Sequence, residues 1–197
     1  MTTRDMAKKA IREQIALSAF TRFQKSGFDN TTVEEIALDV GMSVRNFFRY
    51  FRTKEDVLLV PTVAFSETFL DKFASYLSVH KLWKALEEAL VQTARGCEKL
   101  GGEKNARELQ TLISKTPALL ARQLAISETL QLDATELAMT HCIEAKSLNW
   151  SVTNAIIRSA FACQRAVQCC GDGDIQSDKA IEQLRELMVG LRPAALE

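Results

Sequence analysis

The stretch from Thr31 to Glu55 constrains the fold most, because it contains two short amphipathic segments joined by a glycine. In the first segment apolar residues recur at helical spacing, and Thr32 with Glu35 has the form of a capping box. This pattern predicts a helix over 33–40, whose apolar face consists of Val33, Ile36, Ala37 and Val40.

Gly41 follows at the point where the chain must reverse, and glycine adopts the necessary conformation at little steric cost. Ser43 can then cap a second helix, predicted over 44–50, by accepting a hydrogen bond from a first-turn N–H. A helix, a tight turn and a second helix are the parts of a helix-turn-helix.

The second segment has two different faces. Apolar anchors are predicted at Val44, Phe47, Phe48 and Phe51. The opposite face suits a DNA major groove, because arginine pairs with guanine edges, asparagine pairs with adenine, and other donors hold phosphates. The predicted DNA contacts are Thr32, Ser43, Val44, Arg45, Asn46, Arg49, Tyr50 and Lys54. The alternative from spacing alone is a helical hairpin with a solvated basic face.

The tract at 41–58, G-M-S-V-R-N-F-F-R-Y-F-R-T-K-E-D-V-L, resembles the signature of the TetR family of transcriptional regulators, which is close to G-[VM]-S-x-x-T-[FIL]-Y-x-[YH]-F-x-[ST]-K-E-x-L. The upstream pattern F-x-x-x-G-F-x-x-T-T-V-x-x-I-A, from Phe23 to Ala37, extends the resemblance over about the first 58 residues. Two positions depart from the family pattern: Asn46 replaces the usual Thr or Ser, and Phe48 replaces a frequent Tyr. The operator sequence therefore does not carry over from relatives.

The resemblance implies an all-α protein, with a three-helix DNA-binding head at 1–53 and a larger helical ligand-binding and dimerisation domain at 54–197. It further implies a homodimeric, ligand-responsive regulator, usually a repressor, that binds a palindromic DNA operator. The F-F-R-Y-F form at 47–51 resembles a branch some of whose members respond to acyl-CoA-like ligands. The alternative function is a helical protein-interaction module without specific DNA binding.

Charge is balanced overall but unevenly distributed. Residues 1–55 contain ten Lys/Arg and seven Asp/Glu, a net charge of +3, whereas residues 56–197 contain fifteen and eighteen, a net charge of −3. A positive end on an acidic body fits a protein that approaches DNA with one face. Lys8 and Lys9 are either DNA-backbone contacts or ordinary surface lysines.

Several classes of protein receive no support. The sequence has no long uncharged apolar run and no signal peptide, which predicts a cytoplasmic protein without a membrane segment. No phosphate-binding loop or catalytic motif is present, so neither an enzyme nor a cofactor is predicted. The odd number of cysteines, without paired spacing, predicts core residues rather than disulfides or a metal site, with a thiol sensor at Cys169 or Cys170 as the alternative. The cysteines are Cys97, Cys142, Cys163, Cys169 and Cys170.

The chain outside the helix-turn-helix reads as helical. Helices are predicted at 4–26, ended by Gly27, from a cap formed by Thr53 and Asp56 to about 77, and at 81–99, 103–115, 117–131, 134–147 and 151–170. Gly101 and Gly102 predict a break before 103–115, and a last helix is predicted between the turn at 171–174 and Pro193. Pro61 predicts either a kink in the fourth helix or the start of a new one. The 117–131 and 134–147 stretches are alternatively one long helix.

Large side chains in this region are candidates for an effector cavity, with ordinary core packing as the alternative. They are Phe65, Phe69, Trp83, Leu86, Leu90, Leu112, Leu120 and His141. The last two helices, at about 151–191, combine small residues with a leucine stripe, which predicts a homodimer interface; packing within one chain is the alternative.

Overall fold

The structure, a computed structural model, describes residues 2–96, 103–170 and 177–196, without the side chains of residues 5, 103–105, 169 and 170. Within those ranges the secondary structure is helical and contains no strand, which confirms the all-α prediction. The helices are α1 Thr3–Ser26, α2 Val33–Asp39, α3 Val44–Phe47, α4 Lys54–Leu58, α5 Val60–Leu77, α6 Leu82–Gly96, α7 Glu103–Lys115, α8 Pro117–His141, α9 Ile143–Ser147, α10 Trp150–Cys170 and α11 Asp178–Gly190, followed by a 3-10 turn at Ala194–Leu196.

The chain forms two compact units. Unit 1 comprises Met1–Thr62 and Glu98–Gln123, and unit 2 comprises Val63–Cys97 and Leu124–Glu197. Helices α5 and α8 therefore contribute residues to both units. The functional division into 1–53 and 54–197 stays a prediction.

Helix α1 provides the core of the head in unit 1. Its apolar stripe is buried, as the sequence spacing predicts, at Ile15, Ala16, Ala19, Phe20 and Phe23. The helix ends at Ser26, just before Gly27, which has a φ of 84° and donates its N–H to the Phe23 carbonyl at 3.0 Å. Only glycine adopts this backbone conformation readily, so it stops the helix as predicted.

The structure corrects or decides several predicted helix boundaries. The α-helix of the second segment ends at Phe47, and residues 48–50 continue as a tight turn rather than as α-helix. Pro61 is the second residue of the new helix α5, so a helix begins here rather than bends. Proline is tolerated in the first turn because the N–H that it lacks would have had no partner within the helix. The predicted break at 132–134 was wrong, because α8 is continuous from Pro117 to His141. The long-helix alternative holds only to His141, since the chain breaks at Cys142 before α9.

In unit 2, α6 lies at the centre of the core, and ten of its fifteen residues are buried, whereas Lys84, Glu88, Gln92 and Arg95 form its more exposed face. It packs against α10 and α11. Two polar contacts fix its beginning: the Trp83 indole Nε1 donates to the Met188 carbonyl at 2.8 Å, and the Leu82 N–H donates to Glu144 at 2.8 Å. The first N–H groups of a helix have no partner within the helix, so Glu144 supplies one from α9.

Cys142 and Cys163 are free and buried, consistent with core packing. Burial raises the pKa of the Cys163 thiol, which keeps it protonated and unreactive. The predicted breaks at 101–102 and 171–174, the side chains of Cys169 and Cys170, and Cys97 lie outside the described residues.

Candidate nucleic-acid interface

The turn of the helix-turn-helix is built as the sequence predicts. The Thr32 hydroxyl accepts the N–H of Glu35 at 3.2 Å, while the Glu35 carboxylate accepts the N–H of Thr32 at 2.9 Å, completing the capping box of α2. Gly41 has a φ of 69°, and the Ser43 hydroxyl caps α3 by accepting the N–H of Asn46 at 3.2 Å. These contacts commit the Thr32 and Ser43 hydroxyls to the ends of the two helices.

Exposure divides the recognition segment, 44–51, into an inner and an outer face. Phe47 and Phe51 are buried, which confirms two of the four predicted anchors. Phe48 was predicted as an anchor but is 50% exposed, and its ring lies perpendicular to that of Phe47 at a centroid distance of 5.5 Å. Phe48 still has helical backbone, with its N–H donating to the Val44 carbonyl at 3.1 Å. Successive side chains of a helix point about 100° apart, so Phe48 is turned away from the inner face that the neighbouring Phe47 occupies.

The outer face carries two exposed cations, Arg45 and Arg49, with Asn46 between them. Arg49 Nη1 donates to Asn46 Oδ1 at 3.2 Å. An asparagine reads adenine by accepting from the base with this oxygen and donating with its amide nitrogen. The Arg49 bond occupies one of the two lone pairs of that oxygen and orients the amide. Val44 and Tyr50 lie half-buried in the same segment.

An ion-pair network that the sequence did not predict joins α1 to α2. Arg22 on α1 binds Asp39 at the end of α2, with an Nη2–Oδ1 distance of 2.8 Å. It also pairs with Glu35, with an Nη1–Oε1 distance of 3.3 Å. The hydrogen bond from Arg22 holds the pKa of Asp39 below its ordinary value. The network fixes both ends of α2 against α1. Both acids lie one helical turn apart on α2, and this spacing is the only sequence signal that points to it.

Two further cations of the head turn inward. Arg12 Nη1 donates to the carbonyl of Tyr50 at 2.8 Å, and Lys54 Nζ donates to the carbonyls of Phe28 and Thr31 at 2.7 and 2.9 Å. Arg12 was not predicted as a functional residue, although it lies three residues before the buried Ile15 on the same side of α1. The predicted phosphate contact of Lys54 stays a prediction.

The predicted effector residues fall in different places. Four of them belong to the buried cluster of unit 2, namely Phe69, Trp83, Leu86 and Leu90. Phe65 packs against that cluster. Leu112 and Leu120 lie half-buried in unit 1. His141 is exposed at the end of α8. The predicted effector site therefore stays a prediction, with five of its eight residues in or against the core of unit 2.

In the part of the chain that is described, no group of three or more His, Cys, Asp or Glu side chains is placed to hold a metal ion. The described helices include none that is both long and apolar enough to cross a membrane.

Comparison with known proteins places this head in a family. Residues 17–60 match the model for "Bacterial regulatory proteins, tetR family". The HTH-type transcriptional regulator TcmR of Streptomyces glaucescens is 34% identical over 125 residues, which span 61% of this chain and 55% of that protein. The chain thus aligns with about half the length of this relative.

One solved structure extends the likeness to the fold, and a second matches more weakly. A protein of Mesorhizobium loti, assigned to the TetR-family transcriptional regulators, matches with a TM-score of 0.55 and 16% identity over 96% of this chain and 98% of that one. The TetR-family regulator PfmR of Thermus thermophilus covers 91% of this chain and all of its own, with 15% identity and a TM-score of 0.49. The fold comparison rests on the first of these.

Fold and site together define an all-α protein with an N-terminal helix-turn-helix head. Over residues 17–60, this head matches that of the TetR family of transcriptional regulators.

Proposed function

We propose that this chain is a transcriptional repressor that binds a palindromic DNA operator as a homodimer. We further propose that an apolar small molecule binds the chain and alters its affinity for DNA. The observation that carries the proposal is the recognition segment, with exposed Arg45 and Arg49 beside Asn46 on the outer face of a capped helix after a glycine turn. Such a protein acts on DNA in the cytoplasm.

The proposed DNA contacts are divided by chemistry. Arg45 and Asn46 read base edges, and Arg49 and Tyr50 hold phosphates. Val44 packs near the groove, and Thr32 and Ser43 place the helix ends against the backbone. With one head per half-site, the two recognition segments of a dimer lie about 34 to 36 Å apart, one turn of DNA.

Selection from random-sequence and genomic DNA tests this proposal. We expect a palindromic site whose affinity falls linearly on a log–log plot against salt concentration. Arg45→Ala should abolish selection of that site while circular dichroism remains unchanged. Arg107→Ala, at an exposed cation on α7, is the matched control. Failure to enrich any site would reject the regulator and favour the protein-interaction module.

The dimer interface is proposed on α10 and α11. The exposed face of α10 carries small side chains, including Ala155, Ala162 and Ala166, and small residues let a second helix approach closely. Ala162→Arg should shift the mass measured by light scattering from two chains to one. Ala125→Arg, at an exposed alanine on α8, should leave the mass unchanged. A single-chain mass for the unmodified protein would reject the interface.

The effector site is proposed in the aromatic part of the unit 2 core. Phe65, Phe69 and Phe73 stack along α5, and Phe161 meets Phe69 edge-on at a centroid distance of 5.0 Å. Thr93 lies on α6, three residues after the buried Leu90. Its hydroxyl is fully buried and has no hydrogen-bond partner among the described residues. A buried unpaired hydroxyl is costly, and a polar group of an effector would satisfy it.

Thermal-shift screening of acyl-CoA thioesters and other apolar molecules, followed by operator titration, tests the effector proposal. A coupling of about 1 to 3 kcal/mol changes DNA affinity about 5- to 150-fold. Thr93→Val keeps the shape of the side chain and removes the hydroxyl, so it should weaken effector binding without lowering stability. Operator affinity unchanged at saturating concentrations of molecules that bind would count against ligand control.

A further inference from the structure

Arg12 contacts the end of the recognition segment at two points. Its Nη1 donates to the backbone carbonyl of Tyr50 at 2.8 Å, and its guanidinium lies 4.6 Å from the centre of the Phe51 ring. The carbonyls at the end of a helical segment carry partial negative charge and have no partner within the segment. Arg12 therefore meets both the polar and the aromatic surface of this end.

Lys54, the first residue of α4, likewise contacts both backbone carbonyls and an aromatic ring. Its ammonium donates to the carbonyls of Phe28 and Thr31 at 2.7 and 2.9 Å and lies 4.3 Å from the centre of the Phe28 ring. Both carbonyls belong to the loop between α1 and α2. Two of the three ammonium donors are thus bonded to protein, and the side chain is half-buried.

We propose that Arg12 and Lys54 are positioning residues for the recognition segment, Arg12 by binding its end and Lys54 by holding the start of α4 to the loop before α2. Neither neutralises a DNA phosphate, so for Lys54 this role replaces the phosphate contact that the sequence predicts. The inference rests on the proposed DNA-binding function. It divides the cations of the head into two groups. The exposed Arg45 and Arg49 meet DNA, whereas the inward Arg12 and Lys54 hold the recognition segment in place.

The length of the recognition helix explains why such an arrangement is needed. Helix α3 has only four residues, and so short a helix has no stability of its own in water. Its direction must come from contacts with other elements. Arg12 ties its far end to α1, and Lys54 ties the loop before α2 to the start of α4.

Salt dependence separates a positioning cation from a phosphate contact. Each neutralised phosphate contributes about 0.9 to the slope of log affinity against log salt concentration. A positioning residue contributes nothing to this slope, but its loss misplaces the base-reading side chains. It therefore lowers affinity for the chosen site and leaves non-specific affinity unchanged.

The experiment titrates the full-length protein with two duplexes at several salt concentrations: the duplex that the unmodified protein selects from a random pool, and one of unrelated sequence. Arg12→Met and Lys54→Met are compared with Arg49→Met, at an exposed predicted phosphate contact. We expect both inner variants to lose about 10-fold or more in affinity for the selected duplex, with unchanged slope and unchanged affinity for the unrelated duplex. Arg49→Met should lower the slope by about 0.9.

A slope lowered by about 0.9 in either inner variant, or unchanged affinity for the selected duplex, would overturn the proposal for that residue. Thermal melting confirms that titrations are run on folded protein. If Arg12→Met does not fold, Arg12→Gln retains a neutral donor, and the expected loss is smaller with the slope still unchanged. Failure of the unmodified protein to select any duplex rejects the DNA-binding function, and the positioning role with it.

Discussion

Arg122 on α8 donates a hydrogen bond to Oδ1 of Asp56, whose other oxygen, Oδ2, accepts the backbone N–H of Thr53 at 3.2 Å. The Thr53 hydroxyl in turn accepts the N–H of Asp56 at 3.3 Å, which completes the capping box of α4. One carboxylate therefore both starts the helix after the recognition segment and binds α8 within unit 1.

The two roles of Asp56 should separate by mutation. Arg122→Met removes only an ion pair whose arginine is half exposed, so we expect a loss of about 0.2 to 1 kcal/mol in the free energy of unfolding. Asp56→Ala removes the pair and the cap, and should cost about 1 kcal/mol more. Urea unfolding measures both. Equal losses would mean that the cap contributes nothing measurable.

Asn46 offers a test of base reading at one position. If Asn46 reads an adenine, Asn46→Ala should lower discrimination at a single base pair of each half-site by about 1 to 3 kcal/mol, while other positions keep their preference. Competition binding with singly substituted duplexes measures this. Ser43→Ala, which removes the cap of α3, is the control, and it should weaken all positions together. A uniform loss in Asn46→Ala would assign the residue to helix stability.

Much of the head was predictable because its determinants are local. The capping boxes at Thr32 and Thr53, the cap at Ser43 and the turn at Gly41 depend on residues within a few positions of one another, and all four are present. Local hydrogen bonds are encoded by short spacings, which sequence patterns detect directly.

The inward cations were not predictable from the same patterns. Lys54 binds carbonyls 23 and 26 positions away, and Arg12 binds one 38 positions away. An arginine or lysine in a basic head has the same appearance in sequence whether it faces DNA or a backbone carbonyl. Phe48 was misplaced for a related reason, since an apolar residue beside a buried anchor has the same appearance in sequence whether its own side chain is buried or exposed.

Lys84, Glu87 and Glu88 on α6 form a cluster of ion pairs with Arg185 on α11. This cluster predicts that the stability of the fold depends on pH. Burial alone would raise the pKa of Glu88, but hydrogen bonds from Arg185 and Lys84 outweigh it, and the pKa lies below the ordinary value of 4.5. The ionised carboxylate therefore stabilises the fold fully above pH 4.5, and this contribution disappears as the pH falls through the folded-state pKa.

Glu88→Gln measures this contribution. At pH 7 the variant should lose about 1 to 3 kcal/mol in the free energy of unfolding, because charged hydrogen bonds to Arg185 and Lys84 are replaced by neutral ones. Urea unfolding from pH 7 to pH 3 should show the two proteins converging in acid. Glu186→Gln, on the exposed face of α11, is the matched control. A difference that stays constant with pH would contradict the role of the Glu88 charge.

The two tryptophans provide an internally controlled test of the unit 2 core. Trp83 is buried, and its Nε1 donates to the Met188 carbonyl at 2.8 Å, whereas Trp150 is 42% exposed and donates to Glu136 at 2.9 Å. Trp83→Phe leaves a buried carbonyl without its partner and should cost about 1 to 3 kcal/mol, beyond any loss of packing. Trp150→Phe leaves a carboxylate that water can solvate, so its effect should be small.

Urea unfolding followed by circular dichroism compares both tryptophan variants without relying on the fluorophore that each removes. Similar losses of stability in the two variants would show that the Met188 contact is not a significant source of stability. Because the Trp83 N–H is already bonded, we further expect any effector to meet only the ring of this residue. Trp83→Phe should therefore retain effector binding when the fold is intact, since phenylalanine keeps an aromatic face at the same position.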